Sequence, residues 1–241
     1  MKYFSHRPHL VIKPGIANKG QQKFLNHKLP PLLALTGLLL ITIGFVSAFI
    51  GYNQSIDVNY SPLNHFVSEL GWEKVNNSAW VFNYAIAVSG LMFLPLAWAM
   101  GRNIGTKLGW ISTAVSIVTL LSGSMIGVVP LDSIDVHLFW AYLYFWVLLA
   151  AAILFVTAVW CSPIRKQASL PLTGGALLAI GGSVLAFWPK DTLDWALRNL
   201  GTLTRPEIWP LAILEWMVVL LMGVWLMSMA VYLMKVNVNR Y

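Results

Sequence analysis

An all-α, polytopic membrane protein, a six-transmembrane-helix bundle with short interfacial helices on its outer side, is the fold class this sequence predicts. Three observations predict it. Of the 241 residues, 58% are hydrophobic and only 10% are charged, whereas a soluble domain carries about a quarter charged residues. Six continuous apolar runs, about 30–52, 79–100, 108–129, 138–160, 170–188 and 209–234, each approach the roughly 20 residues needed to cross about 30 Å of hydrocarbon at about 1.5 Å per residue. Finally, the connectors between the runs alternate in charge.

That alternation sets an expected orientation. With the N-terminus inside, the cytoplasmic segments hold Lys2, Arg7, Lys13, Lys19, Lys23, Lys28, Arg102, Lys107, Arg165, Lys166, Lys235 and Arg240, and no acid. The outer segments hold only Lys74, Lys190, Arg198 and Arg205, with eight of the nine acids. Lys and Arg stay on the cytoplasmic side during insertion, so the 12 to 4 division of the 16 basic residues places both termini in the cytoplasm of a plasma (inner) membrane. It also accounts for the net charge of +7 without nucleic acid as a partner. The runs lack the alternating ten-residue pattern of a membrane barrel.

The elements follow in order. Residues 1–29 form a basic cytoplasmic tail suited to lie against anionic headgroups, residues 30–234 the six-helix domain, and residues 235–241 a short cytoplasmic tail. Pro30-Pro31 is tolerated in a first helical turn, where amides lack intrahelical partners. Val46-Ser47-Ala48 has the small residues of a signal-peptidase site, but the first run is read as a retained span. The single cysteine, Cys161, falls at a cytoplasmic helix end and forms no disulfide. Residues 53–78 exceed a plain connection and contain Tyr60, Leu63, Phe66, Val67, Leu70 and Trp72, so the loop is expected to fold onto the membrane surface. In 190–208, Leu193, Ala196, Leu197 and Leu200 recur at helical spacing, the pattern of an interfacial helix that caps the bundle or gates a lateral entrance. Gly123 and Gly127 have the spacing of close helix packing.

Two outer stretches bring titratable groups to the membrane, where burying charge is costly and marks function. Tyr60-Ser61-Pro62-Leu63-Asn64-His65-Phe66-Val67-Ser68-Glu69-Leu70-Gly71 places His65, Ser68 and Glu69 on one face if it is helical. Gly127-Val128-Val129-Pro130-Leu131-Asp132-Ser133-Ile134-Asp135-Val136-His137 joins the third and fourth spans on the same side. Glu215 is the one acid inside a span, expected to face the bundle and to be either neutral or paired with His137, Arg205 or a ligand. The candidate ligand-binding residues are therefore His65, Ser68, Glu69, Asp132, Asp135, His137 and Glu215.

Several chemistries use this set. His65, His137 and Asp132 would suffice as zinc ligands, although no HxxxH or HExxH pair pre-forms a site. Without metal, the histidines serve as an acid/base pair or simply hydrogen-bond to carboxylates. His65, Ser68, Asp132 and His137 are the catalytic candidates, with Ser68, His137 and Asp132 as a conceivable nucleophilic triad. No cofactor is required. Transport is disfavoured by the lack of paired broken helices.

Tyr60-Ser61…His65…Ser68-Glu69-Leu70-Gly71, then Asn83 and Gly90, then Gly127…Pro130…Asp132…His137 resemble the domain-of-unknown-function family numbered 998, over roughly residues 35–230. That family is similar in layout to the Frag/DRAM/Sfk membrane proteins, and the resemblance implies lipid handling at the outer leaflet. The alkaline-ceramidase-like membrane hydrolases are a further comparison, but their closely spaced histidine pair is absent here. The leading expectation is a lipid-associated protein, or an accessory subunit of a membrane complex, with an outer-leaflet polar pocket. The alternative is a metal-dependent membrane-embedded lipid hydrolase. Expected partners are membrane lipids and other membrane-protein subunits.

Overall fold

A computed structural model describes residues 28–55, 59–188, 190–200 and 204–238; the expected basic tail therefore lies almost entirely outside the described residues. Among them the chain forms α1 (Leu29–Ser55), α2 (Ala79–Met92), α3 (Leu94–Ile104), α4 (Lys107–Val128), α5 (Ile134–Trp160), α6 (Ser169–Ala186), α7 (Lys190–Arg198) and α8 (Pro210–Val238), with short 3₁₀ turns at Val67–Gly71 and Leu131–Ser133. Six stretches are long and apolar enough to cross a membrane: Leu29–Tyr52, Ala79–Ile104, Lys107–Val128, Leu131–Trp160, Ser169–Ala186 and Pro210–Val236. The protein is an integral, multi-pass, all-helical membrane protein.

The spans match the apolar runs in number and order, the fourth starting seven residues early at Leu131, and two of the departures have local causes. The second span breaks at Phe93 because Pro95, in the first turn of α3, cannot donate to the Leu91 carbonyl four residues back. It resumes as α3 and stops at Gly105, whose left-handed φ of 70° suits a residue without Cβ. The fifth span ends at Ala186, short of the expected 188, and α8 continues to Val238, four residues into the expected tail.

The spans close into a ring. Around it α1 packs on α2, α2 on α4, α4 on α5, α5 on α6, α6 on α8, and α8 on α1. Lipid tails supply little hydrophobic drive between helices, so close approach through small residues matters here. Gly127 is one such point, since a Cβ there would run into the Asn83 carbonyl and the Ala87 amide of α2. Gly123 instead admits the Tyr144 ring of α5, so the Gly-x-x-x-Gly pair serves two different neighbours. Large apolar side chains such as Leu39, Ile50, Tyr84, Phe139 and Ile180 face outward, as lipid-facing surface requires.

The two ends differ in charge. Arg102, Lys107, Arg165, Lys166 and Lys235 gather at the basic end, while Glu69, Glu73, Asp132, Asp135, Asp194 and Glu207 gather at the acidic end. At the acidic end the 59–78 segment does not lie out over the membrane surface, as its hydrophobicity suggests. Tyr60, Phe66 and Leu70 are almost fully buried between the helices, and the segment plugs the ring. Asn76 fastens it, donating to the Ala48 carbonyl at 3.0 Å and the Leu70 carbonyl at 2.7 Å. Helix α7 covers the same end, with Ala196 and Leu197 buried and Trp195 exposed, the arrangement expected of a cap.

Candidate functional site

The 3₁₀ turn Val67–Gly71 sorts neighbouring side chains to different sides. Ser68 lines a cavity inside the ring. Glu69 points away from it, fully buried, into a polar knot at the acidic end. The expected single face for His65, Ser68 and Glu69 is therefore split, because α-helical spacing does not apply to this segment.

The knot is dense. Arg205 grips Glu69 with two parallel bonds, Nη1 to Oε1 at 3.0 Å and Nη2 to Oε2 at 2.6 Å. The Phe66 amide donates to Oε1 at 2.8 Å and the Tyr52 hydroxyl to Oε2 at 3.2 Å. Burial pushes the Glu69 carboxyl above the ordinary carboxylate range, opposed by the Arg205 guanidinium, the Phe66 amide and the Tyr52 hydroxyl. The same segment is stitched to α8 and the strand of chain before it: the Trp209 amide donates to the Leu63 carbonyl at 2.7 Å and the Trp216 indole to the His65 carbonyl at 3.1 Å. Arg205 also reaches the Asn64 carbonyl at 3.2 Å.

His65 belongs to this knot, with its ring centroid 5.6 Å from that of Tyr52 and 4.9 Å from that of Tyr60. Nδ1 is occupied by the Ser61 amide and the Asn64 side chain, and the buried Nε2 has no partner among the described residues. Burial, then the nearby Arg205 cation, lowers its pKa from 6.5 to about 4. The folded protein thus resists a proton that the unfolded chain accepts, so His65 subtracts stability as pH falls below 6.5 toward 4. Between about pH 7 and about pH 5 this amounts to about 2 kcal/mol. Unfolding in detergent followed at both pH values should show that loss in the parent and a smaller one in His65→Phe; equal slopes would refute the assignment.

The cavity occupies the middle of the ring, about 600 Å³ in volume and lined by residues from all six spans. Its walls are apolar over most of their length. Its ionisable groups collect at the acidic end, where Glu215 and His137 line it with Ser68 and Asn83, while Thr42 and Ser228, farther along, bond their hydroxyls to carbonyls of their own helices. Glu215 Oε2 accepts the Val67 amide at 2.7 Å, with Ser68 beside the same carboxyl. His137 Nδ1 lies 2.7 Å from the Val129 carbonyl, which can only accept, so Nδ1 carries the hydrogen and Nε2 is left as the acceptor. Asn83 spends its amide on the Gly71 carbonyl at 3.0 Å.

On one flank the wall is incomplete. At the acidic end α1 and α8 are joined through Phe45 and Trp216, with ring centroids 5.3 Å apart. Farther along, Thr42 of α1 and Leu220, Val224 and Met227 of α8 line the cavity and are exposed, so the two helices do not seal it there. The cavity therefore opens sideways, toward the space lipid occupies.

The expected site residues thus divide into three groups. Ser68, His137 and Glu215 meet in the cavity; His65 and Glu69 sit in the knot. Asp132 and Asp135 face the rim, where Asp132 accepts the Glu73 amide at 2.9 Å and Asp135 pairs with Arg198 at 2.8 Å. A zinc site on His65, His137 and Asp132 does not fit this arrangement, because the three lie apart: His65 in the knot, His137 on the cavity wall and Asp132 at the rim. Among the described residues no three His, Cys, Asp or Glu side chains converge as metal ligands. The triad of Ser68, His137 and Asp132 fails on the same ground, because a backbone carbonyl, not Asp132, orients His137. Tyr52, Asn83 and Arg205 are not among the candidates the sequence offers; Arg205 is expected there only as a partner for Glu215, and no local pattern links it to Glu69, 136 residues away.

A family model described as "Protein of unknown function (DUF998)" matches residues 36–232. The chain belongs to that family. No curated protein and no solved structure matches it. In this DUF998 member the matched stretch begins within α1 and ends within α8. Every residue lining the cavity, from Leu38 to Val231, lies inside it.

Proposed function

We propose that this DUF998 protein binds a single membrane amphiphile, with the tail inside the ring of helices and the polar head against Glu215, His137 and Ser68. One observation carries the reading: the cavity is largely apolar, holds its ionisable groups at one end, and is open on the flank between α1 and α8. Its volume falls in the range of about 300–1,000 Å³ typical of sites for one small molecule. From Glu215 to Val231 the lining spans sixteen residues of α8, about 24 Å of helix, which suits an extended chain. An amphiphile can enter from the bilayer without its tail crossing water. The charge division between the connectors supports a cytoplasmic basic end, and on that orientation the head lies at the depth of the outer leaflet.

Native mass measurement of the full chain, extracted in mild detergent, tests the reading. A peak carrying one bound amphiphile is expected. His137→Ala removes one hydrogen-bonding group at the head, about 0.5–1.5 kcal/mol, and should weaken retention roughly three- to tenfold while leaving insertion intact. A protein that carries no amphiphile, or a variant that retains it fully, counts against the proposal.

A further inference from the structure

We infer that the head this cavity accepts is a hydrogen-bond donor without negative charge, a hydroxyl or an ammonium, and not a phosphate or carboxylate. The inference rests on the amphiphile-binding reading and specifies its ligand class.

Two features of the polar end carry it. The first is charge. Glu215 is an acid within a membrane span, where ionisable groups ordinarily find a partner, yet among the described residues it takes part in no ion pair. Arg205, the cation expected to pair with it, is committed through both terminal nitrogens to Glu69. None of the described lysines and arginines lines the cavity. An anionic head would meet a carboxyl with no cation to offset either group, in surroundings of low dielectric.

The second feature is the sense of the hydrogen bonds. Most donors at this end are spent inside the protein, the Val67 amide on Glu215 and the Asn83 amide on the Gly71 carbonyl, which leaves the Ser68 hydroxyl beside the Glu215 carboxyl as an uncharged donor. The other polar groups at this end, the His137 imidazole with its Nδ1 hydrogen committed to Val129 and the Glu215 carboxyl, offer acceptor capacity. Acceptors select donors, and a buried polar group left without its complement is costly. A hydroxyl can donate to either group, and an ammonium can donate to both while supplying the missing positive charge.

The test uses the full chain in mild detergent with four probes sharing one tail: oleyl alcohol, oleylamine, oleic acid and oleoyl lysophosphatidic acid. Native mass measurement gives the bound fraction of each. The alcohol and the amine should bind at least roughly tenfold more tightly than the acid and the phosphate. In Glu215→Gln the amine's advantage over the alcohol should fall while the alcohol is retained. Equal binding of all four overturns the head assignment and leaves the cavity reading standing, as does preference for either anion. Failure of every probe to bind removes both.

Discussion

Arg205→Met should destabilise the protein by about 3–5 kcal/mol, the largest effect expected of any single substitution at the acidic end. Glu69 is fully buried, and its carboxyl is held by the Arg205 guanidinium, the Phe66 amide and the Tyr52 hydroxyl. Deleting the guanidinium alone leaves an uncompensated charge in a site closed to water, and that desolvation cost, more than the lost attraction, sets the magnitude. Glu69→Gln keeps two of the hydrogen bonds and removes the charge, so it should cost less. The double variant should recover part of the Arg205→Met loss, because the two groups interact directly and their effects are not additive. Unfolding in detergent, followed by tryptophan fluorescence, reads all three. An Arg205→Met protein within about 1 kcal/mol of the parent would show that the knot does not hold the plug.

Gly223→Phe should abolish amphiphile retention while leaving stability within about 1 kcal/mol of the parent. A Cβ at Gly223 meets no atom within 4 Å, although the residue lies mid-helix on the cavity wall. A glycine in a helix interior costs roughly 0.5–1 kcal/mol relative to alanine, so a side chain that strains nothing offsets part of its own effect. The aromatic ring instead occupies volume at the gap between α1 and α8. Comparison with Gly223→Ala separates blocking from backbone stiffening, since only the larger side chain reaches across. Full retention by Gly223→Phe, with an intact fold, would place the ligand elsewhere.

The legibility of the molecule in its sequence follows the range of the interactions involved. The six spans were legible because hydrocarbon demands about twenty apolar residues wherever a helix crosses it, and that requirement is local. The conformation of the 60–71 segment was not. Treating it as α-helical put Ser68 and Glu69 side by side, whereas a turn beginning at Ser61 followed by a 3₁₀ turn sends one into the cavity and the other into the knot. Aromatic residues in that segment signalled burial, but the sequence did not say whether against lipid or between helices. The membership of Glu215 in the site was readable from its place inside a span, and that of His137 from its place at a helix start. The engagement of Arg205 with Glu69 was not, because charge pairing across 136 residues leaves no periodic trace. The cavity itself arises from six helices closing on one another, a property of no single segment.

The ring is completed by its first and last spans. During synthesis, five staves therefore stand in the bilayer as an open trough before the sixth arrives to shut it. Lipid already present must fill that trough, and the arrival of α8 then either expels it or encloses it against Glu215, a group α8 itself delivers. On the amphiphile-binding proposal, a molecule enclosed at that step is loaded as the protein assembles.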